Sequence, residues 1–263
     1  MSRYEAAAKR AAEMNLLGLP MNQVGVPEVL DFFEAVIRRN QKAIALNLNV
    51  YCVTLALKHA WLHQFINEAH LVYCDGDGVR MGLQILGYPP PPKITYNVWI
   101  WQIAEFCERK GFSIFLLGAK PGVAEEAKSR LLKRYPGLKV GGTHHGYFEK
   151  SGNENQAVIQ EINSLKPDIL LVCFGMPEQE KWILDHWKNL DTHILIKGGA
   201  ALDYASGRLK RAPAWMIRLH LEWFFRLLQE PRRLFKRYVF GNTYFLFQVL
   251  MQKFRIKKSW SSS

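Results

Sequence analysis

Six short stretches of this chain, 43–50, 71–74, 113–117, 139–143, 168–174 and 193–197, have the length and composition of β-strands. Most are apolar throughout, with none of the in-out alternation of a half-solvated sheet. Helical periodicity precedes and separates them over 27–39, 53–67, 98–110, 123–135, 154–165 and 178–188. Strands apolar on both faces, alternating with helices, require a parallel sheet covered on both sides. The expected fold is therefore α/β: a Rossmann-like parallel sheet with helices on both faces. Gly87-Tyr88 and the four prolines after them form a stiff, non-helical connector within it.

In such sheets ligands bind outside the carboxyl ends of the strands. Polar clusters fall at four of those ends: Asn47/Asn49, Asp75/Asp77, Gly118–Gly122 and Gly175–Glu180. The two aspartates either clamp a divalent ion against a diphosphate or supply one general base, with the other carboxylate on a solvent-facing turn. The turn from Gly118 to Gly122 lacks the GxGxxG spacing of a dinucleotide fingerprint, although its N–H groups suit a phosphate. After the apolar run ending at Phe174, Gly175 permits close backbone approach and Pro177 suits a helix start. Gln179 then offers an uncharged amide to phosphate oxygens. His144 and His145 are adjacent on an extended segment and point to opposite faces, so they chelate poorly; Tyr147 is better placed to stack.

The last quarter differs from the rest. Residues 207–258 hold thirteen Lys/Arg and two Glu, and so carry +11 of the chain's net +12. Trp215, Trp223, Phe224, Phe225, Phe235, Tyr238, Phe240, Tyr244, Phe245 and Phe247 sit among these cations. Basic and aromatic together describe a surface that grips something polyanionic and partly greasy, most simply an anionic membrane. The expected division is a 1–206 α/β catalytic domain and a 207–263 basic amphipathic helical appendage, broken at Pro213 and Pro231. The N-terminus lacks a signal-peptide apolar region, and no window approaches ~20 apolar residues. A cytoplasmic protein held peripherally at the inner membrane face is expected. Cys52, Cys74, Cys107 and Cys173 read as reduced core residues.

The strings NLNVYCVTLA, NEAHLVYCDGDGV, FLLGAKPGVAEEA, DILLVCFGMPEQEKWI, GGAALDYASGRLKRAPAW and LEWFFRLLQEPRRLFKRY resemble the WecG/TagA/CpsF family of bacterial glycosyltransferases over about residues 25–250. The resemblance implies the fold type called GT-E, a UDP-sugar donor, a membrane-embedded polyprenyl-diphosphate-linked sugar acceptor, inversion at the anomeric centre, and no metal or other cofactor. By position it makes Asp75 the general base and puts Asn49 at the donor sugar or catalytic centre; Asn47, at the same strand end, is expected to bind substrate. It sets Gln179 near the diphosphate, Tyr147 beside the nucleotide, and Asp203 on the uracil edge. From their own turns, and not from the resemblance, Gly118 and Gly175 are expected to line the substrate. Arg226, Arg232 and Arg233 belong to an appendage that closes over the site.

Three departures stand near the sugar and its leaving phosphate. Asn47-Leu48-Asn49 replaces Thr-x-Asn, Asp77 stands where a small or apolar residue is usual, and Lys93 replaces an arginine. Lys93 neutralises phosphate as a point charge and not as a fork. The competing readings are a nucleic-acid-binding α/β core with a basic arm, for which no module is visible, and an NAD-dependent oxidoreductase, for which the fingerprint is missing. An exposed apolar tail further implies possible self-association off the membrane.

Overall fold

In a computed structural model, which describes residues 14–254, the expected sheet is present. A hairpin of β1 (Met14–Leu16) and β2 (Leu19–Met21), not legible in the sequence, precedes it. Among the described residues β3 (Ala43–Leu48), β4 (Leu71–Cys74), β5 (Ser113–Gly118), β6 (Lys139–His144), β7 (Ile169–Cys173) and β8 (Ile194–Lys197) form one sheet in the order β4-β3-β8-β7-β5-β6. Every neighbouring pair is parallel. All six carboxyl ends therefore open on the same edge, which is where a parallel sheet places its ligand.

Strand alternation divides the core into two layers. Ala43, Ala45, Leu71, Tyr73, Ile114, Leu116, Leu171 and Ile196 face one layer. That layer is covered by α1 (Val26–Arg38), α5 (Tyr96–Lys110), α6 (Val123–Arg134) and the short α9 (Ala201–Ala205). Ile44, Leu46, Val72, Phe115, Leu117, Leu170 and Leu195 face the other. It is covered by the hairpin, α2 (Val50–Ala56), α3 (Ala60–Glu68), α4 (Asp77–Ile85), α7 (Gly152–Leu165) and α8 (Glu178–His186).

Two local expectations are corrected. The helix expected over 53–67 is two helices, because the chain leaves helical geometry at His59, the extended N-cap of α3. Asp77 is not on a turn: it begins α4, whose small and polar residues Asp77, Gly78, Arg80 and Gly82 hide the apolar stripe of Val79 and Leu83.

The basic segment forms α10 (Ala214–Arg218), α11 (Glu222–Gln229) and α12 (Pro231–Lys253). Pro213 and Pro231 start helices, at the N-cap of α10 and the first turn of α12, where a proline's fixed φ and missing N–H suit it. The expected bounds 1–206 and 207–263 include residues 1–13 and 255–263, which lie outside the described residues. α12 packs on α2 and α4 and buries Phe245 and Val249 in the second core layer. Gly82 makes this possible, since a Cβ there would lie 2.6 Å from the Phe245 ring. Near its far end Gln252 accepts from the Leu17 N–H of the hairpin turn at 2.8 Å.

The outward side of α12 is also apolar, with Phe235, Val239, Phe240, Phe247 and Phe254 exposed. The helix thus has two apolar faces, with its cations gathered toward its two ends. Among the described residues no helix is long and apolar enough to cross a membrane.

Because Phe245 is 1% exposed in a shared core, Phe245→Ala is expected to lower unfolding free energy by about 3–5 kcal/mol in urea denaturation. A loss below about 1 kcal/mol would mean that α12 only rests on the surface.

Candidate active site

The parallel register of β3 and β4 builds the centre of the site. Asn47 pairs with Tyr73 and Leu48 with Cys74, so Asn49 and Asp75 leave the sheet side by side. Residues two apart on a strand share a face, and both asparagines reach the same carboxylate oxygen. Asn47 Nδ2 donates to Asp75 Oδ2 at 2.9 Å and Asn49 Nδ2 at 3.2 Å. Tyr96, in the first turn of α5, donates its hydroxyl to Asn47 Oδ1 at 2.7 Å, which fixes the orientation of that amide. Asn49 Oδ1 accepts from the Cys52 N–H and caps α2.

Asp75 is buried, and burial pushes its carboxyl up to about 6, against the opposing Asn49 hydrogen bond and the positive charges of Lys197, Arg237 and Lys93. Such a group is ionised at neutral pH yet basic enough to take a proton.

Arg237 closes the other side of Asn49. Its guanidinium lies 4.2 Å from the centre of the Tyr51 ring, and Nη2 reaches Asn49 Oδ1 at 3.4 Å. Its buried Nε has no hydrogen-bond partner among the described residues. Burial holds Arg237 below the ordinary arginine value, and Arg233 adds repulsion. A half-buried cation with a buried, unused donor, beside a buried carboxylate, is suited to receiving an anionic group.

The remaining expected residues divide by location. Arg226 of α11 donates to Tyr204 Oη at 2.8 Å and to Glu230 at 3.0 Å. It lies near Asp203, whose carboxyl is raised by burial against the nearby Arg226 charge. Arg233 is exposed and paired with Glu230, and Arg232 is exposed. Lys93 does not face the centre as a spare cation: it bonds Asp77 and Glu222, each at 2.8 Å. Burial works against its charge, but those two carboxylates hold it above the ordinary lysine value. Asp77 also meets Arg80 and His220. This charged knot ties α11 to the end of β4, so Asp77 and Asp75 are held by different partners.

Gln179 is fully buried, and both ends of its amide are engaged within the protein. Nε2 donates to Glu180, and Oε1 accepts from the Gly199 N–H at 3.2 Å. In this arrangement it shapes the turn after β8. Gly118 is explained by packing, because a Cβ there would lie 2.5 Å from the Cys173 backbone. Gly175 (φ +88°) and Gly76 (φ +102°) instead face open space, with no atom within 4 Å of where a Cβ would stand at either. Tyr147 is 66% exposed on the loop after β6. From Asn49 on β3 to Gly118 on β5 is three strand spacings, about 14 Å. An extended ligand can therefore run along the edge from the Asp75 centre toward Tyr147.

The family model described as the glycosyl transferase WecG/TagA/CpsF family matches residues 14–259. The chain belongs to that family. It is similar to the N-acetylglucosaminyldiphosphoundecaprenol N-acetyl-beta-D-mannosaminyltransferases of Staphylococcus aureus strains MW2 and MRSA252. Each is 27% identical over 252 residues, with 94% of this chain and 96% of the relative covered.

Beside the residues singled out in the sequence, the structure brings to this edge three that were not, Tyr96, Arg237 and Lys197, and pairs Lys197 with Glu180, which the sequence showed only as the end of a polar cluster. Arg237 had a signal, since it follows Arg233 by four and shares its helix face. Tyr96 and Lys197 had none, because their partners come from elements distant in sequence.

Folded Asp75 keeps its proton up to about pH 6, whereas the unfolded carboxyl releases it near 3.8. Between these values the unfolded state binds fewer protons, so stability falls as pH rises, and the full cost is present above pH 6. Asp75→Asn is accordingly expected to raise stability at pH 7 by up to about 2–3 kcal/mol, and to flatten the pH dependence of melting temperature between pH 4 and 6. Destabilisation by this substitution would show that the carboxylate is well solvated.

Proposed function

We propose that this glycosyltransferase moves a sugar from a UDP-sugar to a polyprenyl-diphosphate-linked sugar acceptor at a membrane surface, with inversion. The observation that carries the reading is the pairing across Asn49 of a buried carboxylate with a half-buried guanidinium whose buried Nε is unbonded. An acceptor hydroxyl attacks the anomeric carbon while Asp75 takes its proton. The bond from that carbon to the diphosphate oxygen breaks, and UDP leaves with the electron pair. Arg237, with Arg226 at the nucleotide side, neutralises the charge that develops on the diphosphate. Asp203 and Tyr147 are assigned to the uridine, Gln179 to holding the turn at Gly199, and Gly175 to giving the donor room. Relatives named for an undecaprenol-diphosphate acceptor support the lipid-linked acceptor class.

The same helices suit the bilayer. Trp215 and Trp223 on α10 and α11, Leu219 at the end of α10 and Leu228 on α11 are exposed, as are the apolar residues on the outward side of α12. Exposed Arg218, Arg232 and Lys236 are interspersed. Aromatics at headgroup depth flanked by cations bind anionic lipid surfaces. Because α12 also carries Arg237, docking there would hold the site at the plane where the acceptor's diphosphate lies.

Turnover of a panel of UDP-sugars, N-acetylmannosamine first, against a short-chain lipid-diphosphate N-acetylglucosamine acceptor tests the reading. No transfer from any UDP-sugar would end it. Asp75→Asn should lower kcat by ~10²–10⁴ while UDP affinity stays near wild type. Arg237→Gln should weaken UDP by roughly 10- to 100-fold and leave uridine binding little changed, as expected of a lost charge-assisted contact. In flotation with phosphatidylglycerol vesicles, Trp223→Ser/Phe240→Ser should reduce the fraction bound that survives high salt. Unchanged salt-resistant binding would remove these helices from the membrane contact.

A further inference from the structure

One buried charged group is not used by the mechanism above. Lys197, the last residue of β8, is fully buried, and its ammonium bonds Glu180 Oε1 at 2.8 Å and Cys52 Sγ at 3.0 Å. Glu180 is also fully buried, and its Oε2 has no hydrogen-bond partner among the described residues. Burial raises the Cys52 thiol, so the sulfur accepts as a neutral group and Glu180 balances the ammonium.

A buried ion pair with one carboxylate oxygen unbonded is a poor way to stabilise a core, since apolar side chains of similar size commonly hold it as well or better. Its position is more informative. Asp75 accepts from Asn49, Asn49 accepts from the Cys52 N–H, and Cys52 Sγ accepts from Lys197. On the other side Glu180 accepts from Gln179, and Gln179 accepts from the Gly199 N–H. One hydrogen-bonded chain thus runs from the carboxylate beside β3 to the turn after β8, with Lys197 at its middle.

We propose that Lys197, fixed by Glu180, is a positioning residue for Asp75: a buried cation whose field keeps the catalytic carboxylate ionised and whose bonds hold the Asn49 cap in register with it. This rests on Asp75 being the general base. The titratable groups that interact electrostatically with Asp75 are Lys197 from β8, Arg237 and Tyr238 from α12, Lys93 from the connector before α5, Tyr96 from α5, and Tyr73 and Cys74 from β4. Of the three cations only Lys197 is fully buried and supplied by the sheet itself. Arg237 and Lys93 both depend on the docked tail, Arg237 as part of α12 and Lys93 through Glu222.

The test separates field from fold. Lys197→Met/Glu180→Met removes both charges and keeps an apolar core, while Lys197→Arg keeps the cation. Asp75 is titrated in the full-length protein by carbon-13 NMR of labelled aspartate, assigned with Asp75→Asn, and pH profiles of kcat/KM are recorded alongside. In the double variant the Asp75 titration should move up by roughly one pH unit. The acid limb of kcat/KM should follow it, with a roughly fivefold loss at pH 6 and less than about twofold at pH 8.5. Lys197→Arg should retain the wild-type titration. A folded double variant with an unmoved Asp75 titration overturns the proposal, as does an equal shift in Lys197→Arg. If the double variant does not fold, Lys197→Met alone is titrated against Lys197→Arg under the same criteria. A moved titration with an unmoved acid limb would instead uphold Lys197's effect on Asp75 and remove Asp75 as the base.

Discussion

Asn49 is the joint on which the candidate site depends. Its amide nitrogen donates to Asp75, and its oxygen accepts from both the Cys52 N–H and Arg237. It therefore starts α2, restrains the carboxylate and meets the tail helix with a single side chain. An amide can serve a carboxylate on one side and a cation on the other without being charged itself. A buried carboxylate and a half-buried cation can then stand close together without forming the direct ion pair that would make the carboxylate a weaker base.

The tail is part of the same construction. Its last helix shares a core layer with α2 and α4, the two helices that follow the strands bearing Asn49 and Asp75. The Asp77–Lys93–Glu222 knot pins α11 at the mouth of the site. Packing and ion pairs together bring Arg226 and Arg237 to the sheet edge, while the outer faces of these helices keep their aromatics exposed. Under the proposed function this is an economy: the surface proposed to meet lipid also carries the cations proposed to meet the leaving diphosphate.

The departures that mark this chain within its family have physical content. Asn47 gives Asp75 a second amide and is itself oriented by Tyr96. Asp77 answers Lys93, so those two departures compensate one another as a salt bridge. Residue order alone makes Lys93 a phosphate ligand, because it shows the charge and hides the two carboxylates, one of which lies 129 residues away. It makes Gln179 a donor to phosphate for a similar reason: the position at a helix start is visible, and the burial of its amide, with Nε2 turned to Glu180, is not.

The apolar runs and their helical spacers determined the parallel α/β sheet, because side-chain period and strand burial are local properties that residue order records directly. The same holds for the carboxyl edge as the place of the candidate site and for Asp75 just after β4. Tertiary structure alone decided strand order, and with it which side chains meet. Lys197 and Glu180, Tyr96 and Asn47, Arg237 and Asn49 are 17, 49 and 188 residues apart. No periodicity couples such positions. Only the sheet order and the return of α12 across α2 bring them within hydrogen-bonding distance, and burial then sets the charge that each can carry.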